Sequence, residues 1–401
     1  MWTEPKYPTM SGEGDLRNTV KPLRIWLVFV VMISLGGVSC MTSELSDKEK
    51  SDLKDIEKFN AEVGQLGWHV EDKLIEELDI SGIVLNQSSL KNIGFKNVAG
   101  REARITNSEF RNVKFASDDF SNSQFTDVRF IECEFAGVSF EQSTFNNCSF
   151  TDCRSVRAKL SDAAFRKCTF SNCADDSGIY TRAEFINTKL IKPDWHNTSL
   201  YHARFDLTEI IDGKLELVVF GNAKIDDLKI SESNIMSGSF GESTIKKLLF
   251  EKCESKSISF GKAKIQQLII LGCSGFNGLN IVNSDCQLLT IDSCEKMSEP
   301  KIYISKVDSL TLRNSNLAYL YCVESVFGSG GEITSCKISG ANFEGAQMTG
   351  VAISDCEFSD YLVISNGTFR RLSLARVTYT DGIEIDSETV NYIESDRFAP
   401  K

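Results

Sequence analysis

Residues able to perform acid–base or metal chemistry are few in this chain. Only three histidines occur, His69, His196 and His202. No Ser–His–acid arrangement, phosphate-binding glycine loop or metalloprotease helix accompanies them. His196 and His202 flank Leu200 in "DWHNTSLYHARF", where they would form either a small metal or ligand patch or two ordinary surface imidazoles. The histidines therefore define no catalytic centre.

Adjacent carboxylates offer a second kind of chemistry, because carboxylate oxygens bind hard cations. Asp118–Asp119 and Asp226–Asp227 are such pairs, and both are expected at outward or corner positions. These positions suit either a cation site or a solvated surface. Since the sequence contains no recognisable active-site constellation, it predicts a protein that is not an enzyme and needs no cofactor.

Cysteine is the remaining reactive residue type, and its spacing indicates structure. Several of the 13 cysteines are separated by twenty residues, namely Cys133, Cys153 and Cys173, Cys148 and Cys168, Cys253 and Cys273, and Cys336 and Cys356. No CxxC pair is present, so the spacing does not match a zinc site. We expect most of these thiols to be small buried hydrophobes. A few disulfides between thiols twenty residues apart stay open as an alternative.

A five-residue period underlies this spacing. Of the 39 positions reached by steps of five from Ile80 to Ile270, 35 hold Phe, Leu, Ile, Tyr or Trp, which we call the centres of the repeat. The exceptions are Gly100, Ser155, Asp175 and Ser255. The residue two before each centre, the i−2 position, is mostly small, as in Ser123 and Cys133. An extended segment points residues i−2 and i to the same side, so each unit is predicted to form one side of a coil.

The unit resembles the consensus of the pentapeptide-repeat family, small–polar–Leu/Phe–x–x, from Ile80 to Tyr379. This resemblance implies an all-β fold, a right-handed quadrilateral parallel β-helix with four units and twenty residues per coil. The twenty-residue spacing of the cysteines agrees, because like residues would stack between successive coils. At about 4.8 Å per coil, the roughly ten coils before residue 275 would span about 50 Å.

The pattern divides the chain into six predicted parts: 1–40, a signal peptide or membrane anchor; 41–79, a polar linker and N-terminal cap helix; 80–275, the main β-helix; 276–301, an interrupting loop or kink; 302–379, a second β-helical segment; and 380–401, a C-terminal cap or tail. The cap helix is predicted from the helical spacing of Leu53, Ile56 and Phe59, with Ser51 as its N-cap. One-residue register shifts are predicted at "GSGG" (328–331) and "NG" (366–367).

The N-terminal region contains a short apolar run, "RIWLVFVVMISLGGVSC" (24–40), preceded by Arg17 and Lys21. The run is short for a membrane span and typical of a signal-peptide core. Its end, "GVSC", resembles a bacterial lipobox, although Gly37 stands where that motif favours leucine. The resemblance implies lipidation of Cys40, and an uncleaved single-span anchor is the alternative. Either arrangement predicts a protein anchored in the cell envelope, with the β-helix on the extracytoplasmic side.

Charge distribution bears on DNA mimicry of a topoisomerase substrate, the best-known activity of the pentapeptide-repeat family. The chain has a net charge of −12, but residues 80–275 contain 24 acidic and 25 basic residues. The acidic excess lies in 41–79 and 276–401. Duplex DNA carries one negative charge per about 1.7 Å along its length, so this balance disfavours mimicry. A nucleic-acid partner is not expected.

Two surface features remain as candidate binding sites. Leu249 and Ile269 each precede a centre and are expected to stack on one external face, either as a partner surface or beneath the 276–301 loop. The phase shared by Ser155, Asp175 and Ser255 predicts either a shallow groove or a poorly filled side.

The predicted function is a non-enzymatic, exported and membrane-tethered scaffold that binds a protein or a surface polymer. Contact with the membrane would be made through the N-terminal anchor or lipid. A secreted effector or toxin-like interaction protein is the principal alternative, and a DNA-mimic topoisomerase inhibitor is another.

Overall fold

The described part of the chain is a β-solenoid. The computed structural model describes residues 43–54, 56–57, 59–60, 67–328, 330–379, 383–385, 393–395 and 398–400. They belong to one compact unit, Thr42–Lys401, which is an all-β parallel solenoid of about 15 turns with almost no helix. The all-β parallel coil predicted from the five-residue period is confirmed.

Each five-residue unit forms one straight side and one corner. Phe125, for example, is the buried middle residue of the strand Gln124–Thr126, and the next residue but one, Asp127, has a φ of 55°. This left-handed conformation recurs at every fifth residue from Asp72 to Asn222. Asn and Asp, which tolerate it better than most residues, occupy many of these corners. The corner therefore costs least where the repeat is rich in Asn and Asp.

Successive coils are in register, with a twenty-residue offset through most of the chain. Phe125 pairs with Phe145, and Phe145 with Phe165, in parallel strands. The ring centroids of these pairs are 4.7 and 4.9 Å apart, and all three side chains are buried. The predicted axial stack of large side chains is therefore confirmed.

Four faces run along the solenoid, each built from strands one coil apart. Face 1 begins with Val84–Asn86, Arg104–Thr106, Gln124–Thr126, Thr144–Asn146, Ala164–Arg166, Glu184–Ile186, Arg204–Asp206 and Lys224–Ile225. Face 2 begins with His69–Glu71, Ser89–Lys91, Glu109–Arg111, Arg129–Ile131, Ser149–Thr151, Thr169–Ser171, Lys189–Ile191, Thr208–Ile211 and Leu228–Ser231.

Face 3 is edged by Ser43–Glu44 and contains Lys73–Glu76, Gly94–Lys96, Lys114–Ala116, Glu134–Ala136, Arg154–Val156, Ala174–Asp176, Asp194–His196, Lys214–Glu216, Asn234–Met236, Glu254–Ser255, Met297–Ser298 and Asn316–Ala318. Face 4 starts as isolated bridges between Asp79 and Ser239 and continues as Gly238–Ser239, Ile258–Gly261, Leu279–Val282, Lys301–Tyr303 and Leu320–Val323.

The corner between faces 1 and 2 is lost from residue 244. The two sides join into one eight-residue strand per coil: Thr244–Glu251, Lys264–Leu271, Asp285–Asp292 and Lys306–Arg313. The i−2 residue of face 2 changes one coil earlier, from Cys168, Thr188 and Thr208 to leucine at positions 228, 248, 268, 289 and 310. Leucine needs more room and has no polar group for a corner carbonyl, so the side is straighter. The quadrilateral section is thus limited to the coils before residue 244.

The predicted loop or kink over 276–301 is wrong, because these residues continue the solenoid. Leu279–Val282 pairs with Ile258–Gly261, and Asp285–Asp292 pairs with Lys264–Leu271. The offset in both pairings is 21 residues. An extra residue lies between Ile270 and Phe276, which are neighbouring centres, and it accounts for the slip in the sequence pattern.

In the last coils the corner between faces 3 and 4 is lost, and the strand pairing contains a bulge. Faces 3 and 4 join in Lys337–Asn342 and Glu357–Ile364, and the register shifts between Ile338 and Gly340. The "GSGG" shift is confirmed, since Val307 pairs with Phe327 but Leu312 with Ile333. The second shift lies at this bulge and not at "NG". The remaining strands are Val326–Phe327, Glu332–Thr334, Gln347–Thr349, Ala352–Ser354, Thr368–Arg370, Leu372–Ala375, Val377–Tyr379, Ile383–Ile385, Ile393–Ser395 and Phe398–Pro400.

A short helix, Asp47–Lys54, precedes the first coil. Ser46, and not the predicted Ser51, caps it: the Glu49 N–H donates to Ser46 Oγ at 3.3 Å, and the Ser46 N–H donates to Glu49 Oε2 at 2.7 Å. The Asn60 side chain accepts a hydrogen bond from the Val84 N–H at 2.8 Å and donates to Gly82 O at 3.0 Å. These contacts satisfy backbone groups at the open edge of the first coils.

Candidate functional site

The inward cysteines have a structural role. All twelve described cysteines are buried and free. Most occupy i−2 positions, where the thiol donates to a carbonyl of the preceding coil, as Cys148 Sγ does to Phe125 O at 3.4 Å. Thr188 Oγ1 makes the same bond to Phe165 O at 3.1 Å. Burial raises the pKa of the Cys286 thiol to about 12, which disfavours the reactive thiolate.

One predicted carboxylate pair is placed differently from the expectation. Asp118 is an i−2 residue and is buried, whereas Asp119 faces outward and pairs with Arg101. Each Asp118 oxygen accepts one backbone hydrogen bond, from the Val98 N–H at 2.8 Å and the Ala116 N–H at 2.9 Å. Burial raises the pKa of Asp118 to about 6, although these hydrogen bonds oppose the shift. The pair is therefore not a surface cation site.

On face 3, the column of centres that includes Ser155 and Asp175 borders a cavity and not the long groove offered as one expectation. The cavity has a volume of about 50 Å³ and lies where Ser155 and Asp175 replace two successive large centres. Asp175 is only 3% exposed, and its Oδ2 accepts a hydrogen bond from Thr198 Oγ1 at 2.8 Å. Within the described residues, Asp175 Oδ1 and Ser155 Oγ have no hydrogen-bond partner. Burial raises the pKa of Asp175, with opposing contributions from neighbouring hydroxyl groups.

Ser255, the third residue of this phase, does not extend the cavity. Its Oγ donates to Asn277 O at 3.1 Å, and the side chain is buried. Phe276 pairs with Ser255 in the next coil and is itself buried. The cavity of face 3 is therefore limited to the coils around Ser155 and Asp175.

Leu249 and Ile269 stack on the outer surface, as their spacing predicts. They are paired residues in adjacent strands, and both are partly exposed. Lys229 precedes them in the same row, and Thr290 follows them. Because 285–292 is a paired strand, it does not fold over this row. The row is therefore a candidate contact surface.

A surface crevice of about 400 Å³ adjoins this row. Leu249 and Leu207 both line it, and Leu207 is 61% exposed. An ion pair between Lys247 and Asp227, with Nζ and Oδ2 3.0 Å apart, also borders it. We call Leu207, Leu249, Ile269 and this crevice the Leu249 surface. Leu207 is missing from the sequence prediction because it occupies a corner, where apolar residues are unexpected.

A tyrosine cluster on the later coils is a second feature that the sequence analysis missed. The rings of Tyr319 and Tyr361 stack at 6.1 Å, and the hydroxyl oxygens of Tyr361 and Tyr321 are 3.4 Å apart. Lys301 Nζ lies 5.8 Å from the Tyr321 ring centroid. These residues come from strands separated by about 20 and 40 positions, and the register needed to bring them together depends on the bulge.

The histidines and acidic residues form no recognisable metal centre in the described ranges. His196 Nδ1 is 3.4 Å from Glu216 Oε2, and His202 packs against Tyr201 with ring centroids 4.4 Å apart. Across the residues with described placement, no group of three His, Cys, Asp or Glu side chains is arranged to hold a metal ion.

The predicted membrane attachment lies outside the described residues. Cys40 and the apolar run 24–40 are not among them. In the ranges that are described, no helix is long and apolar enough to cross a membrane. Lipidation of Cys40 stays a prediction.

Comparison with family models identifies the repeat. Residues 101–144 match the model "Pentapeptide repeats (9 copies)", and residues 123–177 match "Pentapeptide repeat region". The chain carries a pentapeptide-repeat region. No curated protein matches the sequence.

Solved structures of several solenoids are similar to the fold around this pentapeptide-repeat region. HetL, a pentapeptide repeat protein involved in heterocyst differentiation regulation in the cyanobacterium Nostoc sp. strain PCC 7120, is 12% identical, with 52% of this chain and 91% of HetL covered at a TM-score of 0.26. QnrB1, a plasmid-mediated fluoroquinolone resistance protein, is 15% identical, with 46% and 93% covered at 0.21. PfbA, a surface adhesin of Streptococcus pneumoniae, is 8% identical, with 91% and 93% covered at 0.29. Such low scores carry no argument about function.

Charged side chains on the outer surface of the solenoid form ion pairs between neighbouring coils. Arg182 pairs with Asp162 at 2.7 Å, and Lys189 with Glu209 at 3.3 Å. Both pairs join residues twenty positions apart. Alternating charge of this kind neutralises the surface locally and does not build a continuous acidic stripe.

Proposed function

We propose that this protein is a non-catalytic, exported and membrane-tethered scaffold whose solenoid surface binds another protein or a surface polymer. The Leu249 surface is the observation that carries the proposal. It places the exposed Leu207 and the partly exposed Leu249 beside one open crevice, with an ion pair at its border. Apolar contact area bordered by charge is typical of protein-binding surfaces.

The rigidity of the platform supports this role. The Leu249 row belongs to paired eight-residue strands, so its side chains are held at fixed spacing by main-chain hydrogen bonds to both neighbouring coils. A preformed surface loses little conformational freedom on binding. Within this scaffold, Asn60 contributes to an N-terminal cap, since its side chain pairs with the backbone of Gly82 and Val84.

DNA mimicry is disfavoured by the charge pairs. A mimic must present negative charge at the spacing of duplex phosphates, about one per 1.7 Å. Here the acidic groups of Asp162 and Glu209 each pair with a cation on the adjoining coil. Failure of the purified protein to inhibit DNA supercoiling by gyrase is the expected result.

The membrane tether is tested by labelling bacterial cells that express the full-length chain with a palmitate analogue. The expected result is a labelled protein in the membrane fraction, with labelling lost in Cys40→Ala. An unlabelled protein that is released into the medium would instead support the secreted effector. An unlabelled protein that stays in the membrane would support the single-span anchor.

The contact surface is tested by cross-linking in intact cells. The double variant Leu249→Lys, Ile269→Lys is expected to lose the cross-linked partners of the wild type, because two charges then occupy the apolar row. Val219→Lys is the matched control, since Val219 is an exposed apolar residue on face 4 (39% exposed). Equal cross-linking by the double variant and the wild type would rule out the Leu249 surface as the binding site.

A further inference from the structure

Two tyrosines lie on either side of a glycine at the corner between faces 3 and 4. Gly340 is aligned with Tyr319 in the preceding coil and pairs with Tyr361 in the following one. The backbones at Tyr319 and Tyr361 are therefore two coils apart, roughly 9–10 Å. Their ring centroids are nevertheless only 6.1 Å apart, with the ring planes at 21°. The two rings thus lean toward each other over the glycine.

Gly340 is required for this arrangement. A Cβ atom at position 340 would lie 2.6 Å from Cε1 of Tyr361 and 2.8 Å from its Cζ, so no larger residue would leave the ring in this position. The bulge between Ile338 and Gly340 aligns the glycine with Tyr361. The Tyr361 hydroxyl oxygen then lies 3.4 Å from that of Tyr321. Aromatic surface and hydroxyl groups are therefore presented together.

Tyr319 is held in a backbone conformation that is unfavourable for a bulky residue. Its φ is 64°, and it is the one Phe, Tyr or Trp with a positive φ among the described residues. A bulky residue in this region is an outlier. The side chain is 36% exposed, so burial does little to offset the strain. Strain of this kind is typical of residues selected for binding.

A polar crevice of about 420 Å³ adjoins the tyrosines on face 3. Asn316, Lys296 and Lys337 line it with amide and ammonium groups, and all three residues are exposed. Glu357 is the single carboxylate of the described lining. Residues 276–401 contain 17 acidic and 10 basic residues, so the excess of lysine in the crevice reverses the charge of the surrounding region. The crevice therefore favours an anionic ligand.

Aromatic and polar surface side by side fits a sugar ring. A pyranose has an apolar face of C–H groups, which packs on an aromatic ring, and a rim of hydroxyl groups, which need hydrogen-bond partners. Tyr319 supplies ring surface, and Asn316 and Tyr321 supply polar groups beside it. The lysines would pair with the carboxylate of an acidic sugar. The site is open along the side of the solenoid, so a sugar within a polymer can occupy it.

We propose that the tyrosine cluster and the adjoining crevice bind an acidic polysaccharide, with one sugar ring packed on Tyr319 and a sugar carboxylate beside Lys337. The bulge and Gly340 build the aromatic surface, and face 3 supplies the charge. This site is separate from the Leu249 surface on faces 1 and 2 and does not depend on it.

The experiment measures binding of two acidic probes, trigalacturonate and a hyaluronan tetrasaccharide, to the purified full-length protein by calorimetry at neutral pH. Maltotriose is the neutral control. A dissociation constant on the order of 0.1–1 mM is expected for at least one acidic probe, with maltotriose binding at least about fivefold more weakly. Failure of both acidic probes to bind, or equally tight binding of maltotriose, would overturn the proposal.

Variants of the aromatic surface locate the binding. Tyr319→Ala is expected to weaken binding of the acidic probe at least about tenfold, whereas Tyr319→Phe keeps the ring and is expected to retain it. Gly340→Ala is expected to weaken binding because it displaces the Tyr361 ring. Tyr201→Ala is the matched control, since Tyr201 is 41% exposed but lies outside the site. Unchanged affinity in Tyr319→Ala, with folding verified by circular dichroism, would refute the site.

A charge variant separates the lysine contact from the ring contact. Lys337→Gln is expected to reduce the affinity for the acidic probe to that for maltotriose and to leave maltotriose binding unchanged. The double variant Leu249→Lys, Ile269→Lys is expected to bind the probes like the wild type, so failure of the Leu249 surface and failure of this site are distinguishable. A cross-linked protein that is lost in Tyr319→Ala, without saccharide binding, would replace the polysaccharide by a protein partner and overturn the proposal.

Discussion

The coils over residues 73–243 and those over 244–313 have the same winding but different side chains at the inward i−2 position of face 2. In the first region, small i−2 residues such as Thr208 turn a corner and donate to a carbonyl of the preceding coil, in this case Phe185 O at 2.9 Å. In the second, leucines such as Leu268 fill the same place, and two sides become one straight strand. The comparison indicates that the size and polarity of one residue per coil determine the shape of the cross-section.

The largest expected effect comes from removing an aromatic ring in the first region. Phe145 is buried between Phe125 and Phe165, so Phe145→Ala leaves a cavity that neighbouring rings cannot fill. We expect the free energy of unfolding to fall by about 3–5 kcal/mol. Leu268→Ala in the second region is expected to cost less, about 2–4 kcal/mol, in the same urea titration. The reverse order would show that aromatic stacking does not distinguish the two regions.

Both buried carboxylates among the described residues, Asp118 and Asp175, belong to the first region. Burial raises the pKa of Asp118 to about 6, so the folded state holds its proton more tightly than the unfolded state. The contribution of Asp118 to stability is therefore fully present below about pH 4 and is lost as pH rises through about 6. The loss is at most about 3 kcal/mol.

This pH dependence is measured by urea titration between pH 4 and 8. Asp118→Asn is expected to flatten the profile, since the amide does not titrate, and the part due to Asp175 would remain. A profile identical to that of the wild type would show that Asp118 stays ionised at every pH tested.

Exchanging the i−2 residue tests why faces 1 and 2 join into one strand in the coils over residues 244–313. Thr208→Leu introduces into the first region the residue that marks the second, and it removes the bond to Phe185 O. We expect a loss of about 1–3 kcal/mol from overpacking. A crystal structure is expected to show residue 207 in an extended conformation, in place of its φ of 49°. An unchanged corner would mean that the leucine does not cause the change of shape.

The smallest predicted effect concerns the corner residues. Leu207 has a positive φ, which costs a residue with a side chain about 1–2 kcal/mol, so Leu207→Gly is expected to raise stability by up to about 1 kcal/mol. Leu249→Gly is the matched control, because Leu249 lies in an extended strand where glycine costs about 0.5–1 kcal/mol. Thermal unfolding of the two variants should therefore shift in opposite directions.

The repeat could be predicted from the sequence because each unit makes the same contacts. Phe125, Phe145 and Phe165 have one spacing and therefore one environment. The coils over residues 244–313 have an equally clear signal, the leucines from 228 to 310. Whether these leucines remove a corner depends, however, on how two adjoining sides pack in the interior. The surface position expected for Asp118 is wrong, because two adjacent aspartates are typical of a solvated surface. Position 118 is nevertheless an i−2 position, which points inward.

The cavity shows where prediction from the repeat ends. Ser155 and Asp175 stand out as substituted centres, and an irregular face could be expected from them. How the Asp175 carboxylate is accommodated depends on Gly178 and Thr198, which belong to a neighbouring side and to the next coil. Contacts between residues of different sides and coils cannot be read from a five-residue period in the sequence. The continuity of 276–301 was hidden for the same reason, since one added residue alters the period without breaking the pairing.

Apart from the edge strand Ser43–Glu44, the described strands pair with positions about 20 or 21 residues away, so their contacts reach only the adjoining coils. The cooperativity of the solenoid extends from each coil to its immediate neighbours. A pulling force applied at one terminus would consequently detach coils in order, with one extension step for each. The two regions would then appear in a force–extension record as two series of steps with different heights.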